Sequence, residues 1–254
     1  STLSSSSAAS DVYKRQLVRS FIIIKNQAGD KMKKVLITGG ATGIGRECAR
    51  LFAEKNYDVY ITYHETQPDL DCVTPVHCDL KNIDDIKSLF SKFKTLDVLV
   101  NNAGVSLIKM INDTDCNDYE NLMSVNSRAV YFCCKEAANI MLRVHSGAII
   151  NISSMWGEVG ASCETLYSMS KAGVIGLTKA LAKELAPSGI TVNSVSPGII
   201  DTRMNAQFNE RELIEEVPLG KLGSTYDVAQ MVYFLAGSSY ITGQDISVSG
   251  GIVI

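Results

Sequence analysis

The chain has 254 residues, 46% of them hydrophobic, enough for one large domain or two small ones. Its 24 basic side chains stand against 27 acidic ones with no basic stripe, which argues against nucleic acid or an anionic membrane surface as a partner. Seven cysteines without a C-x-x-C pair and three histidines give no zinc or other metal pattern and suit reduced thiols in a cytoplasmic protein. No apolar run approaches the roughly 18 residues of a membrane-spanning helix.

Residues 1–31 differ in composition from the rest of the chain. "STLSSSSAAS" is low-complexity, and "FIII" (Phe21 to Ile24) is too short for a signal-peptide core. This stretch reads as a disordered extension or an upstream translation artefact, with a regulatory tail as the alternative. A single folded domain is expected over 32–254.

From Met32 the pattern is regular. Val35 to Thr38 predicts a buried strand, Gly43 to Lys55 a helix, Val59 to Tyr63 and Val73 to Cys78 two further strands. A helix over Ile83 to Phe93 precedes a strand at Asp97 to Asn101, and one long helix is predicted over Asp118 to Leu142. Ala148 to Ser153 is the fifth strand, Thr165 to Leu185 a helix, and Gly189 to Val195 the sixth strand. Tyr226 to Leu235 reads as helix and Asp245 to Ser249 as the closing strand. Continuously apolar strands alternating with helices predict an α/β fold, a doubly wound parallel sheet covered on both faces. Between strands two and three, His64 to Asp71 leaves little room for a crossover helix, so a turn or loop is expected there.

"ITGGATGIG" sets a glycine-rich turn between the first strand and the first helix, with Gly39, Gly43 and Gly45 in G-x-x-x-G-x-G spacing. Missing side chains let backbone N–H groups approach a pyrophosphate at a helix N-terminus, where the dipole favours negative charge. At the end of strand two, Tyr63 and His64 occupy the place of the acid that would reject a ribose 2′-phosphate, which points to NADP(H) over NAD(H). Asp79 ends strand three, either to meet the adenine edge or to cap the helix near Ile83.

Ser154 lies beyond the carboxyl end of strand five, where open parallel sheets bind ligands. Tyr167 and Lys171 are four apart and share a helix face. An ammonium beside a phenol favours the phenolate, so Lys171 is expected to lower the Tyr167 pKa. Asn126, a poor helix former inside a predicted helix, is either exposed or recruited.

In this order, "TGGATGIG", "NNAG", "SVN", "ISS", "YSMSK" and "SPGIIDT" resemble the short-chain dehydrogenase/reductase family over Met32 to Ile254. The resemblance implies a Rossmann-type sheet of about seven strands and a catalytic tetrad at Asn126, Ser154, Tyr167 and Lys171. Tyr167 would protonate a carbonyl oxygen, Ser154 would orient it, Lys171 would hold the nicotinamide ribose, and Asn126 would hold a water relaying protons to Lys171. It further implies cofactor contacts from Gly39, Thr42, Gly43, Ile44 and Gly45, and on the adenine side from His64, Asp79 and Leu80. From "NNAG" come Asn101, Ala103 and Gly104; Pro197, Gly198, Ile200 and Thr202 would flank the nicotinamide. A homo-oligomer, tetramer or dimer, is implied as well.

"SPGIIDTRM" and the segment after Val217 look like 3-oxoacyl-acyl-carrier-protein reductases. "SSMWGEVGASCETLYSMSK" with "LAKELAPSGI" resembles bacterial elongation factor P 5-aminopentanone reductases, which act on a ketone carried by that factor. Trp156, Glu158 and Glu164 are the expected substrate residues, two acids and an aromatic face that would attract an ammonium. A nucleotide-sensing binding protein on the same fold is the non-enzyme alternative.

Overall fold

In a computed structural model of the chain, which describes residues 32–254, the short apolar runs pair into one sheet. The reading of residues 1–31 lies outside the described residues. The strands are β1 (Lys34–Ile37), β2 (Asp58–Tyr63), β3 (Thr74–His77), β4 (Val98–Asn101), β5 (Gly147–Ile152), β6 (Ile190–Pro197) and β7 (Asp245–Val248). Their order is β3-β2-β1-β4-β5-β6-β7, and every neighbouring pair is parallel. The chain winds outward from β1 to one edge, then returns to β4 and winds the other way. That reversal opens a crevice beyond the ends of β1 and β4.

Alternate residues of each strand serve two cores, which is why the strands read as unbroken apolar runs. Leu36, Leu99 and Ile149 face α2 (Ile83–Ser91), α4 (Val130–Met141) and α6 (Thr165–Leu185). Val35, Ile37, Val98, Val100 and Ile150 face α1 (Gly43–Glu54) and α8 (Thr225–Gly237). On that second face Phe52 packs edge-on against Tyr57 and Tyr233, with ring centroids 4.9 and 5.4 Å away.

The β2–β3 connection carries no helix, as its length predicts. The long helix predicted over Asp118 to Leu142 is three pieces: α3 (Cys116–Met123), a π-helical turn at Ser124–Ala129, and α4. Two short helices escaped the sequence pattern, α5 (Met155–Val159) and α7 (Glu210–Glu215). Among the described residues no helix is long and apolar enough to cross a membrane, and no group of His, Cys, Asp and Glu is placed to hold a metal ion.

Candidate active site

The first wall is set by glycines. Gly39 and Gly43 have φ of +64° and +54°, a region in which side-chain-bearing residues are strained. A Cβ on Gly45 would lie 2.4 Å from both Asn102 Nδ2 and Gly39 O. That close approach lets the Asn102 amide donate to the carbonyls of Thr38 and Gly39, each at 3.0 Å, while Thr38 Oγ1 accepts from the backbone of Asn102 and Ala103. The turn after β1 is thereby tied to the end of β4. Thr42 caps α1 without a side-chain bond, so the first N–H groups of that helix stay free to meet an anion.

The second wall comes from β5, α5 and α6. Ser154 is the N-cap of α5; its Oγ accepts from Trp156 N at 3.2 Å and faces the Tyr167 hydroxyl. Tyr167 is 8% exposed, packed with Leu122 and Leu166, and its hydroxyl reaches the cleft. Lys171 lies one turn on, 4% exposed, its Nζ donating to Ile152 O at 2.9 Å and standing 5.7 Å from the Tyr167 ring centroid. Ser153 Oγ bonds the Lys171 carbonyl and Ser170 Oγ the Tyr167 carbonyl, which fixes the turn carrying both side chains.

The expected lowering of the Tyr167 pKa is reversed. Burial pushes it up to about 12, and the nearby Glu164 charge adds to this while Ser154 opposes it. The ammonium is aimed at the Ile152 carbonyl and the ring face instead of the hydroxyl, and burial pulls Lys171 itself down to about 8. The i,i+4 spacing brings the pair together, but desolvation decides both shifts. Lys171 therefore binds fewer protons folded than unfolded over about pH 8 to 10.5. Its contribution to stability should rise across that window and be lost as pH falls through 8, by up to about 3 kcal/mol. In urea titrations from pH 7.5 to 9.5, below the Tyr167 range, wild type should show a more positive slope than Lys171→Met, since the buried thiols of Cys48, Cys78, Cys133 and Cys134, raised by burial, lower stability with pH in both proteins alike. Equal slopes would refute it.

Asn126 is fully buried on the π-helical turn. Its Oδ1 accepts from Val105 N at 2.9 Å, and its Nδ2 donates to Val105 O at 2.8 Å and Ser170 Oγ at 3.3 Å. It is recruited, not exposed. Gly104 lies between it and Lys171: a Cβ there would stand 3.4 Å from both Asn126 Oδ1 and Lys171 Nζ.

A cleft of about 970 Å³ joins these walls along the carboxyl edge of the sheet. Lining it are Gly39, Thr42, Gly43 and Ile44 from the first turn; His64, Asp79 and Leu80 from the β2 and β3 ends; and Ala103 and Gly104 after β4. Pro197, Gly198, Ile200 and Thr202 close it from β6, with Thr202 Cγ2 only 3.8 Å from where a Gly43 Cβ would stand. Asp79 does not cap α2; Asn82 does, through Asp84 N. The side-chain-free cradle and the helix end without a side-chain cap fit a nicotinamide dinucleotide.

Four expected residues lie elsewhere. Gly45 acts through packing, and Asn126 sits beneath the surface. Asn101 points into the sheet, donating to Asn151 Oδ1 at 2.8 Å; its neighbour Asn102 lines the cleft in its place. Glu158 is exposed and does not line the cleft, its carboxylate facing Ser196 and Ser247 beside Asp245. Trp156 and Glu164 do line the cleft side by side, and burial raises the Glu164 pKa while the indole opposes that rise. Glu212 and Glu216, on and just after α7, line it too, although the sequence pattern did not single them out. Asn209, three residues before Glu212, was the available signal, since its side chain caps α7.

The family model described as "Enoyl-(Acyl carrier protein) reductase" matches residues 39–253. The chain belongs to the short-chain dehydrogenase/reductase family. It is an oxidoreductase of that family, which uses a nicotinamide cofactor. A 3-oxoacyl-[acyl-carrier-protein] reductase FabG of Staphylococcus aureus is 37% identical over 239 residues, 86% of this chain and 97% of the relative. A 3-oxoacyl-[acyl-carrier-protein] reductase of Synechocystis is 36% identical over 237 residues, 86% of this chain and 96% of the relative. Among solved structures, ElxO with NADP bound superposes with a TM-score of 0.82 at 38% identity, covering 87% of this chain and 99% of ElxO.

Proposed function

We propose that this short-chain dehydrogenase/reductase reduces a protein-borne ketone to a secondary alcohol with NADPH, the ketone being an aminopentanone on elongation factor P. The Tyr167 hydroxyl, facing Ser154 on the cleft wall with Lys171 one turn behind, carries the reductase reading. A bound nicotinamide would supply hydride. Tyr167, held protonated by burial, would give its proton to the carbonyl oxygen, and Ser154 would orient that oxygen. Lys171 would hold the nicotinamide ribose, and Asn126 would brace the Val105 wall. With all four groups present, a catalytically silent nucleotide sensor is the weaker reading. The same family likeness supports a homo-oligomer.

NADPH is favoured because β2 ends on Tyr63 and His64 follows it where the 2′-phosphate would lie, the acid Glu65 joining the cleft lining only beyond the strand end, and because ElxO holds NADP. Fluorescence titration should give NADPH an affinity at least about tenfold above NADH, a difference near 1.4 kcal/mol; equal affinities would reverse the assignment.

The aminoketone is favoured by Glu164, Glu212 and Glu216 lining the cleft, which suits an ammonium better than an anionic phosphopantetheine arm. The reading as a 3-oxoacyl-acyl-carrier-protein reductase is supported by the FabG relatives. The two separate in a competition between aminopentanone-modified elongation factor P and acetoacetyl carrier protein. The modified factor should win, and Glu164→Gln should cut its advantage about tenfold, the scale of a charged hydrogen bond. A carrier-protein preference untouched by Glu164→Gln would establish the fatty-acid reading.

A further inference from the structure

The cleft opens between two rims that expose apolar side chains. On one, Ile108, Met110 and Ile111 are 45%, 53% and 67% exposed; on the other, Met204 and Phe208 are 43% and 44% exposed. Ile108, Met204 and Phe208 also line the cleft that holds Ser154, Tyr167 and Lys171. Large exposed apolar residues gathered at a cleft mouth mark a place where something docks.

The charge on both rims identifies what docks. Residues 201–216 hold five acids and two arginines. Residues 105–118 hold three aspartates and one lysine, and that lysine, Lys109, is spent on Asp118 at 2.6 Å. Lys109 N also bonds Cys163 O at 2.7 Å, which stitches this rim to the loop before Glu164. Both rims are therefore net negative around an apolar centre.

We propose that the two rims form a docking surface for a basic protein segment that presents the ketone on an extended side chain. This rests on the reading that the cleft reduces a protein-borne ketone. Tyr167 is 8% exposed, within the cleft wall, so only a slender arm reaches it while the bulk of the partner stays on the rims. A second copy of this chain is disfavoured as occupant, since like-charged rims would repel. Rim charges of this kind act mainly on association rate and are screened by salt.

The test uses two synthetic peptides of equal length, one lysine-rich and one glutamate-rich, each bearing one 4-oxopentanoyl ketone at its centre, with ethyl acetoacetate as a small substrate. Peptide binding is read by fluorescence anisotropy alongside NADPH turnover, so docking is judged even where no ketone is reduced. At low salt the basic peptide should bind and turn over about tenfold or more better than the acidic one, and high salt should close the gap. Glu210 and Glu215 are exposed on α7 and do not line the cleft. The double variant Glu210→Lys/Glu215→Lys, with the Gln pair as a milder control, should abolish the gap and leave ethyl acetoacetate within about twofold of wild type. Equal binding of the two peptides, or a gap that survives charge reversal, overturns the docking surface while ethyl acetoacetate turnover upholds the reductase. Selective binding without reduction of any ketone does the opposite. If Ile111→Ser lowers the mass in solution and leaves peptide binding intact, the face belongs to a second copy and the proposal falls.

Discussion

Tyr167→Phe should retain NADPH binding and lose at least about 10²-fold in turnover, the scale of a missing general acid. The substitution removes one oxygen and keeps the ring, which packs between Leu122 and Leu166 and lies under the Lys171 ammonium. The fold and the cofactor walls have no reason to change. Lost instead is the hydroxyl that burial keeps protonated, with a pKa up at about 12, and that faces Ser154. Single-turnover rates and NADPH titrations on the same preparation separate the two effects. A variant that turns over near the wild-type rate would remove Tyr167 from the proposed chemistry, and one that loses NADPH binding would make it a structural residue.

The second large effect is expected at a residue that touches no ligand. Gly45→Ala places a methyl 2.4 Å from Gly39 O and from Asn102 Nδ2, both parts of the knot between β1 and β4. One of those atoms must move, and each is already bonded, Asn102 to two carbonyls at 3.0 Å. Overpacking of this kind costs about 1–3 kcal/mol. Because the displaced atoms shape the first wall of the cleft, NADPH affinity should fall together with Tm. Thermal melts with and without NADPH would show both: a lower Tm and a smaller ligand-induced shift. An unchanged shift would mean that the turn after β1 does not hold the dinucleotide.

Much of the architecture was legible in the sequence because β-branched runs and helical periodicity are local. α6, Thr165–Leu185, has the bounds expected of it, and the missing β2–β3 helix follows from residue count. What escaped depends on direction and on environment. A π-helical turn has nearly the apolar spacing of an α-helix, so Ser124–Ala129 was hidden inside one long predicted helix. Glu158 and Glu164 both fall between Ser154 and Tyr167 in the chain, yet the first, on α5, stays out of the cleft lining and the second, the N-cap of α6, enters it. Asn101 and Asn102 divide the same way, as consecutive residues at the end of a strand point to opposite sides. The pKa signs of Tyr167 and Lys171 were illegible for a different reason: charge proximity is visible in spacing, burial is not.

The π-helical turn also bears on how this chain can vary. Such a turn is a helix carrying one residue more than its α-pairing needs. Deleting a single residue from Ser124–Ala129 would restore ordinary α-pairing and leave α3 and α4 close to their present orientation, because the bulge already absorbs that residue. What the deletion removes is the widened turn on which Asn126 meets Val105 and Ser170. A length change that the helix as a whole could absorb would thus be felt beneath the cleft wall, and the number of residues in that turn bears on the site more than on the fold.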